Sequence, residues 1–385
     1  MERKSIADIN QYCGSTINPL DTPDTIYELY SVPSYENQVP EIIKGKEIGS
    51  SKITVEDGDV LICKINPRIN RVWVVKRHTP YQLLASSEWI VIRNHELDSD
   101  YLKWYFSSPF FRELMTSQVA GIGGSLTRAQ PKQVAKYPVP IVKVGEQRKI
   151  AAVLDKVSDL IAKRRQQIDK LDELVTARFV EMFYNIDSNT NWPVVTMADI
   201  STDMRTGPFG SALHHDEFVE TGIFVLGIDN AVENKFSYNR MRYITEEKYE
   251  QLKRYTVRPG DIIITIMGTV GRSAVIPDNI PKAINTKHLA CLTIDRSKAQ
   301  PTFICSAFQM HPEIRQQLTG QAKGAIMDGL NLTIIKKIHF KLPPIEIQDK
   351  FVEFFNITEK TKTTISKSLE KLETLKKALM QEYFG

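Results

Sequence analysis

Cationic and amide side chains are concentrated in the segment Lys64-Ile65-Asn66-Pro67-Arg68-Ile69-Asn70-Arg71, directly after an apolar run that predicts a strand. Guanidinium and carboxamide groups can make paired hydrogen bonds with the edges of guanine and adenine, and cations also contact phosphates. The alternative is an ordinary turn, because exposed cations are commonly solvated or salt-bridged. The candidate nucleic-acid contacts in this segment are Lys64, Asn66, Arg68 and Arg71.

Three glycine-rich segments could present backbone N–H groups to a phosphate. They are Gly207-Pro208-Phe209-Gly210-Ser211, Gly121-Ile122-Gly123-Gly124-Ser125 followed by Arg128, and Met267-Gly268-Thr269-Val270-Gly271-Arg272. None has the full spacing and lysine of a P-loop, and none has the complete dinucleotide fingerprint. Turns between strands explain them equally well. The candidate contacts among them are Gly207, Phe209, Gly210, Ser211, Arg128 and Arg272.

Further arginines in the second half of the chain are candidates for the same contacts. Any single one is more often a solvated or salt-bridged surface residue. They are Arg205, Arg240, Arg242, Arg254 and Arg258.

Residues for catalysis do not form a recognisable constellation. His214 and His215 are adjacent, so on a strand their side chains would point to opposite faces. The remaining histidines are scattered, with no motif that ties one to a nucleophile. Asn66-Pro67-Arg68-Ile69 departs at its third and fourth positions from the Asn-Pro-Pro-aromatic motif of amino-methyltransferases. We therefore expect no metal, no cofactor and no catalysis in this chain.

Composition places the chain among ordinary globular proteins. It has 385 residues, of which 42% are hydrophobic and 25% charged, so more than one domain is expected. A formal charge of +4 permits a nucleic-acid partner but does not indicate one. The four cysteines lack the paired spacing of a zinc site or a disulfide framework. Neither a signal peptide nor a membrane span is visible, and we expect a cytoplasmic protein.

Two long helices must position these segments. From Ile150 onward, apolar residues recur at alternating steps of four and three, the heptad pattern of a coiled coil, with arginine at two positions. The seam is Leu154, Val157, Ile161, Arg164, Ile168, Leu171, Val175, Arg178 and Met182. The second helix follows Pro343-Pro344, and its comparable positions are Phe351, Phe355, Ile365, Leu369, Leu372 and Leu379.

A duplication relates the two helices. Gln147–Phe183 aligns without a gap with Gln348–Phe384, and weaker matches recur before it in the same order. Ile6-Ala7-Asp8-Ile9 matches Met197-Ala198-Asp199-Ile200, and the Gly58-Asp59 pair matches Gly260-Asp261. The sequence therefore predicts a globular block and a helix, twice over.

The predicted fold class is α/β (α+β), in tandem duplication. We expect a globular domain at 1–143, a helix at 144–187, a second domain at 188–343 and a second helix at 344–385. The helices, each about 55 Å long over the repeated segment, are expected to pair as an antiparallel coiled coil with pseudo-twofold symmetry. The alternative is that the helices join two chains as a dimer.

These features resemble the specificity subunit of a type I restriction-modification system, and the resemblance covers nearly the whole chain. It implies two target recognition domains that read the two halves of a split, asymmetric DNA sequence, with the helices as spacers. It further implies two methyltransferase subunits that modify adenine and two ATP-dependent restriction subunits. S-adenosylmethionine, ATP and Mg²⁺ would then be bound by those partners, and the isolated chain would bind double-stranded DNA weakly.

Two other functions are compatible with the same pattern. The chain could be the recognition subunit of another DNA methyltransferase or phage-defence complex. It could also be a coiled-coil adaptor that does not bind DNA, for which the modest net charge is the main support.

Overall fold

The computed structural model describes residues 2–117, 119–120, 127–184, 191–209, 212–320 and 330–385. The chain divides into two compact units. Unit 1 comprises Met1–Arg165 and Lys367–Gly385, and unit 2 comprises Gln166–Ser366. Each unit therefore contains part of each long helix, together with one set of strands.

The strands of unit 1 form a five-stranded sheet in the order β2-β5-β8-β3-β4, a three-stranded sheet in the order β7-β6-β9, and short pairs. The strands are β1 (Glu2–Ser5), β2 (Thr16–Ile17), β3 (Ile26–Tyr30), β4 (Glu41–Lys44), β5 (Lys52–Thr54), β6 (Val60–Cys63), β7 (Val72–Val74), β8 (Gln82–Ser86), β9 (Trp89–Ile92), β10 (Val119–Ala120), β11 (Arg128–Ala129) and β12 (Pro138–Ile141). The helices are α1 (Ile6–Ile9), α2 (Ser99–Phe106), α3 (Pro109–Ser117), α4 (Pro131–Val134) and the start of α5 (Val144–Phe183).

The strands of unit 2 form a four-stranded sheet in the order β14-β20-β17-β18, a three-stranded sheet in the order β16-β15-β19, and one short pair. The strands are β13 (Val194–Thr196), β14 (Ser201–Thr206), β15 (Ile223–Leu226), β16 (Tyr243–Ile244), β17 (Ile262–Thr265), β18 (Ser273–Val275), β19 (Ala283–Asn285), β20 (Leu289–Ile294) and β21 (His339–Lys341). The helices are α6 (Glu246–Leu252), α7 (Pro301–Met310), α8 (Pro312–Gly320), α9 (Leu332–Lys337) and the start of α10 (Ile345–Phe384).

The same pairings recur inside the two units. β3 runs parallel to β8 in unit 1, as β15 does to β19 in unit 2. β6 pairs antiparallel with both β7 and β9, as β17 does with β18 and β20. The mixed α/β class and the strands predicted from apolar runs are thus confirmed. In each unit a proline begins a second short helix directly after a first one, α3 at Pro109 after α2 and α8 at Pro312 after α7, because proline begins a helix more readily than it continues one.

Within each unit, α5 and α10 segments run in opposite directions. In unit 1, the Arg165 guanidinium lies 2.6 Å from the Glu373 carboxylate, while residues near Leu154 share a core with Phe384. In unit 2, Lys362 bonds Asp172, and the rings of Phe179 and Phe351 lie 5.3 Å apart. These contacts join the α5 and α10 segments to each other within each unit.

The buried row on α5 follows the predicted seam except near its end. Leu154, Val157, Ile161 and Val175 are buried, and Ile168 and Leu171 are partly buried. Arg178 is exposed, and the next residue, Phe179, is fully buried against Phe303 and Phe351. The shift follows from the aromatic core, which has room for a ring and none for a solvated guanidinium.

The helix α10 is continuous through its threonine-rich middle. Thr358, Thr361, Thr363 and Thr364 each donate a hydrogen bond to the carbonyl four residues earlier. These bonds satisfy the hydroxyl groups without interrupting the helix. Of the predicted apolar positions on α10, Phe351 is fully buried. The others are partly buried: Phe355, Ile365, Leu369, Leu372 and Leu379.

Candidate nucleic-acid interface

Two hairpin loops occupy matching places in the two units. Loop A, residues 64–71, joins β6 to β7, and loop B, residues 266–272, joins β17 to β18. Each loop contains two residues with left-handed backbone: Asn66 and Asn70 have φ of 48° and 50°, and Gly268 and Gly271 have φ of 71° and 81°. Asparagine and glycine are the residues that tolerate this conformation. The two loops therefore reverse the chain in a similar way although their sequences share little.

Loop A is anchored to the segment around Arg128. The Asn66 N–H donates to the Thr127 carbonyl at 2.9 Å, and the Ala129 N–H donates to the Lys64 carbonyl at 2.9 Å. The Arg128 guanidinium lies 3.1 Å from the carboxylate of Glu88, in the turn between β8 and β9. Three segments that are distant in sequence thus meet at one end of the β7-β6-β9 sheet.

The predicted contact residues of loop A differ in exposure and in the partners of their side chains. Lys64 is partly buried, and its Nζ donates to the Ser87 carbonyl at 2.6 Å. The Arg71 guanidinium lies 3.3 Å from the Glu36 carboxylate. Arg68 is exposed at the tip of the loop and lines a cleft of 460 Å³ together with Arg112, Glu113 and Thr116 of α3. Arg68 is therefore the cation of loop A best placed to meet a ligand.

Several buried side-chain oxygen atoms of loop A and of the segments that anchor it have no hydrogen-bond partner in the described part of the chain. Buried acceptors are normally paired, so such a group marks a place where a donor from water or a ligand can bind. The atoms are Asn66 Oδ1, Asn70 Oδ1, Glu88 Oε2 and Thr127 Oγ1.

Loop B is closed by the side chain of Thr265. The Thr265 Oγ1 accepts a hydrogen bond from the Arg272 N–H at 2.9 Å. The backbone carbonyl of Thr265 accepts a second one from the Gly271 N–H at 2.9 Å. The Arg272 side chain is exposed and lines a cleft of 340 Å³ that also contains Arg315 of α8. Loop B, like loop A, thus places an arginine beside a helix that starts with proline.

Other predicted residues of unit 2 share the sheet edge of loop B. The last residue of β14 pairs with Ala290 near the start of β20, and Ala290 also pairs with the end of β17. Gly207 and Phe209, which follow β14, therefore lie at the same end of the sheet as loop B. A Cβ on Gly207 would lie 2.2 Å from the backbone of Thr286, which only glycine avoids. Phe209 is 56% exposed, and Met267 of loop B is 41% exposed. Gly210 and Ser211, like the predicted segment 121–125, lie outside the described residues.

The remaining arginines of unit 2 lie in several places. The Arg242 guanidinium bonds the Asp229 carboxylate at 2.8 Å, directly after β15. Arg240 is exposed and has left-handed backbone. The Arg254 guanidinium stacks on the Tyr255 ring, 4.7 Å from its centroid. Arg258 is exposed before β17, at the opposite end of that strand from loop B.

Arg205 is held inside unit 2. Its guanidinium bonds the buried Asp261 carboxylate at 2.7 Å, and the two side chains are 12% and 1% exposed. In unit 1 the matching Asp59 is paired instead with Arg93 at 2.8 Å. The two aspartates also accept from the backbone N–H three residues earlier, that of Glu56 or Arg258, at 2.8 Å. The Gly-Asp repeat of the sequence therefore encodes a buried ion pair.

Burial changes the pKa of groups near these sites. Cys291, beside Asp261, has its thiol pKa raised well above the usual value, mainly by burial. His288 has its pKa lowered by burial and, to a smaller extent, by the charges of Lys287 and Arg242. Cys13 is exposed and the other three cysteines are buried, and all four are free.

Two arginines beside the loops escaped the sequence analysis. Arg112 and Arg315 are each the fourth residue of a helix, α3 or α8, that begins with proline. A signal was available, because Pro109-Phe110-Phe111-Arg112 and Pro312-Glu313-Ile314-Arg315 share the positions of proline and arginine. Only the structure shows that both side chains line the clefts beside the loops.

Two negative findings concern the described residues. No group of three or more histidine, cysteine, aspartate or glutamate side chains among them could hold a metal ion. None of the helices in this part of the chain is both long enough and apolar enough to cross a membrane.

Comparison with known families identifies one match across both halves of the chain. The profile of the type I restriction modification DNA specificity domain matches residues 1–173 and 189–376. The chain is 19% identical to the type I restriction enzyme MjaVIII specificity subunit of Methanocaldococcus jannaschii, covering 87% of this chain and 80% of that protein. It is 20% identical to the EcoBI specificity subunit of Escherichia coli, covering 72% of this chain and 65% of that protein.

Two solved structures share the fold. One, from work on the structural basis of complex assembly and conformational transition of the type I R-M system, aligns with a TM-score of 0.63 at 16% identity, covering 100% of this chain and 97% of that one. The other, the type I restriction-modification S subunit of M. genitalium, aligns with a TM-score of 0.58 at 13% identity, covering 100% and 96%.

Proposed function

This chain belongs to the type I restriction modification DNA specificity family and is a DNA-recognition subunit of that kind, and we propose that each of its compact units reads one half of a two-part DNA site. The family profile matches the chain twice, once in each half. The proposal thus assigns one reader to unit 1 and one to unit 2.

The matching of loops A and B carries this proposal. Both loops connect equivalent strands, use left-handed backbone at two positions and carry an exposed arginine beside a second arginine on a helix. The side chains within the loops differ, with asparagine and isoleucine in loop A where loop B has glycine, threonine and valine. A common frame with different side chains is suited to reading two different half-sites.

The proposed contacts are the exposed or edge-located members of the predicted set. They are Lys64, Asn66, Arg68, Arg71 and Arg128 in unit 1, and Gly207, Phe209, Arg240, Arg242 and Arg272 in unit 2. Arg205 is not among them, because its guanidinium is paired with Asp261 inside the unit. Arg254 is not among them either, since it lies in the turn before Arg258 and β17, while loop B follows that strand.

The long helices are proposed to act as spacers that pair as an antiparallel coiled coil. Each has 40 residues, which corresponds to about 60 Å at 1.5 Å per residue. One turn of duplex DNA is about 34 Å, so a pair of such helices is long enough to hold two readers about a turn apart. The contacts of α5 with α10 inside each unit support this role.

The partners are proposed from the family. Two methyltransferase subunits would modify adenine and two restriction subunits would cleave, and these would bind S-adenosylmethionine, ATP and Mg²⁺. The chain itself would be non-catalytic and cytoplasmic. Family membership favours neither a recognition role in a different methyltransferase or phage-defence complex nor an adaptor without DNA binding.

Methylome sequencing of the host, with and without this gene, tests the proposal. We expect a two-part adenine methylation motif that disappears when the gene is deleted. Exchange of Asn191–Leu342 for the corresponding block of a relative is expected to change only one half of the motif. A methylation pattern that is identical in the presence and absence of the gene contradicts the proposal.

A further inference from the structure

The two clefts beside loops A and B are each lined by a pair of arginines from different elements. In unit 1 the pair is Arg68 of loop A and Arg112 of α3. In unit 2 it is Arg272 of loop B and Arg315 of α8. One arginine of each pair comes from the hairpin and the other from the helix, so the pairing exists only in the folded unit.

Packing fixes the helix arginine of each pair at the mouth of its cleft. In α3, the neighbouring Phe111 and the later Met115 are buried in the core. In α8, Ile314 and Leu318 occupy the corresponding positions and are also buried. When one face of a helix is buried, the residues on its opposite face are exposed to solvent. Arg112 and Arg315 are accordingly exposed.

The hairpin contributes the opposite wall of each cleft. α3 packs against the Pro67–Ile69 turn that forms the tip of loop A. In unit 2, the closest side chain to a Cβ built on Gly271 is that of Leu318, at 4.0 Å. The hairpin and the helix are therefore in contact in both units, so packing holds together the two elements from which the arginine side chains extend.

The charge of the clefts favours an anion. The side chains of Arg68, Arg112 and Arg272 have no ion pair within the described residues. Among the residues that the structure describes, cleft A contains one carboxylate, that of Glu113, and none lines cleft B. Guanidinium groups bind phosphate through two parallel hydrogen bonds, so two arginines that line one cleft suit a phosphate ligand.

We propose that each arginine pair, Arg68 with Arg112 and Arg272 with Arg315, clamps one phosphodiester group of the DNA backbone. This inference rests on the proposed function and adds to it a division of labour. The helix arginines fix the position of the duplex on each unit, and the remaining side chains of the loops contact the bases. Because a phosphate is the same at every position, the clamp contributes affinity without sequence preference.

The test uses the full chain purified with its methyltransferase subunits and a duplex that carries the motif found by methylome sequencing. Dissociation constants are measured over a series of NaCl concentrations for wild type, Arg112→Ala and Arg315→Ala. We expect each variant to bind about tenfold more weakly, and the slope of log K against log salt to decrease by about one. The methylated motif is expected to stay the same.

Four further variants separate the clamp from general effects of charge and folding. Lys132→Ala and Lys336→Ala remove exposed cations from the short helices α4 and α9 and are expected to leave the slope unchanged. Arg112→Lys retains the charge and is expected to recover most of the slope but only part of the affinity. Glu113→Gln removes the carboxylate of cleft A and is expected to strengthen binding, which a folding defect would not do.

The outcomes distinguish the clamp from the function on which it rests. If both arginine variants bind the motif with the affinity and salt slope of the wild type, the clamp is overturned and DNA recognition is unaffected. A changed methylation motif in Arg112→Ala also overturns it, because it would show base reading by that residue. If the wild-type complex binds its motif no better than a random duplex, the proposed function itself is wrong.

Discussion

The side chain of Gln348 accepts a hydrogen bond from the backbone N–H of Gln300 at 2.9 Å. Its amide group also donates to the carbonyl of Pro343 at 2.8 Å, and the side chain is fully buried. In unit 1, Gln147 accepts from the N–H of Asp98 at 2.8 Å and donates to the carbonyl of Val142 at 2.7 Å. The first glutamines of the duplicated segments thus attach each long helix to the start of α2 or α7 in its own unit.

Loss of this amide is expected to destabilise the protein. Gln348→Ala leaves the N–H of Gln300 and the carbonyl of Pro343 buried without partners, and we expect about 2–4 kcal/mol lower free energy of unfolding. Urea denaturation at pH 7.5 measures the change. Gln381→Ala, an exposed position on the same helix, is the matched control and is expected to stay within about 0.5 kcal/mol of wild type. Equal stabilities of the two variants would contradict a role for the buried amide.

Replacement of Arg205 is expected to lower the stability of the folded chain, because Arg205 is paired with Asp261 inside unit 2. Arg205→Ala leaves the Asp261 carboxylate buried without its cation, at a cost of about 3–5 kcal/mol. Thermal unfolding of the chain measures this loss. Arg240→Ala, which removes an exposed arginine of the same unit, serves as the control and is expected to retain stability. A fully stable Arg205→Ala variant would show that the buried pair is dispensable.

The backbone of loop B predicts which residues it tolerates. Gly271 has φ of 81°, and Asn70 occupies the related position of loop A with φ of 50°. Gly271→Asn is therefore expected to preserve the loop, whereas Gly271→Val is expected to cost at least about 1–2 kcal/mol and displace Arg272. Methylome sequencing would show a retained motif for the first variant and weakened methylation for the second. Equal methylation by both would mean that the loop conformation does not matter for recognition.

Stability is expected to decrease in mild acid because of His311. This side chain is 5% exposed between Phe179 and Phe340, and burial lowers its pKa below the ordinary value of 6.5, against a smaller opposing effect of Glu313. A depressed pKa means that the unfolded chain binds the proton more readily. The contribution of His311 is therefore fully present above pH 6.5 and is lost as the pH falls through the lower folded-state value.

Urea denaturation at pH 7.5 and 5.5 tests this expectation. His311→Phe is expected to reduce the difference in stability between the two pH values, because it removes the titrating group. His339→Gln, at an exposed position, is the control and should keep the wild-type difference. An unaltered difference in His311→Phe would assign the acid sensitivity to other groups.

Helix length is expected to set the distance between half-sites. Seven residues inserted after Gln167 in α5 alone would disturb its contacts with α10, and we expect impaired binding or a changed spacer. A second insertion after Ser366 in α10 is expected to restore pairing and lengthen the spacer by about three base pairs, since seven helical residues span about 10 Å. Methylome sequencing of both strains measures the spacer. An unchanged motif and full activity in the single insertion would contradict the spacer role.

Elements that depend on a local pattern of residues could be predicted before the fold was known. The heptad spacing predicted α5, and the duplication located its counterpart α10, because a helix exposes its periodicity directly in the chain. The apolar run before Lys64 predicted a strand, and this strand is β6 (Val60–Cys63). The resemblance to type I specificity subunits was visible at the same level, and the family profile agrees with it.

Tertiary structure alone decided which charged residues face solvent and which face each other. From the sequence, Arg205 and Arg272 were both candidate nucleic-acid contacts. In the structure, Arg205 is paired with a buried aspartate, whereas Arg272 lines an open cleft. Loops A and B share a backbone conformation but few residue types. The relation between Asn70 and Gly271 is therefore visible in their backbone angles and not in a sequence alignment. The physical reason is that burial, ion pairing and the meeting of Arg68 with Arg112 arise from contacts between segments far apart in the chain.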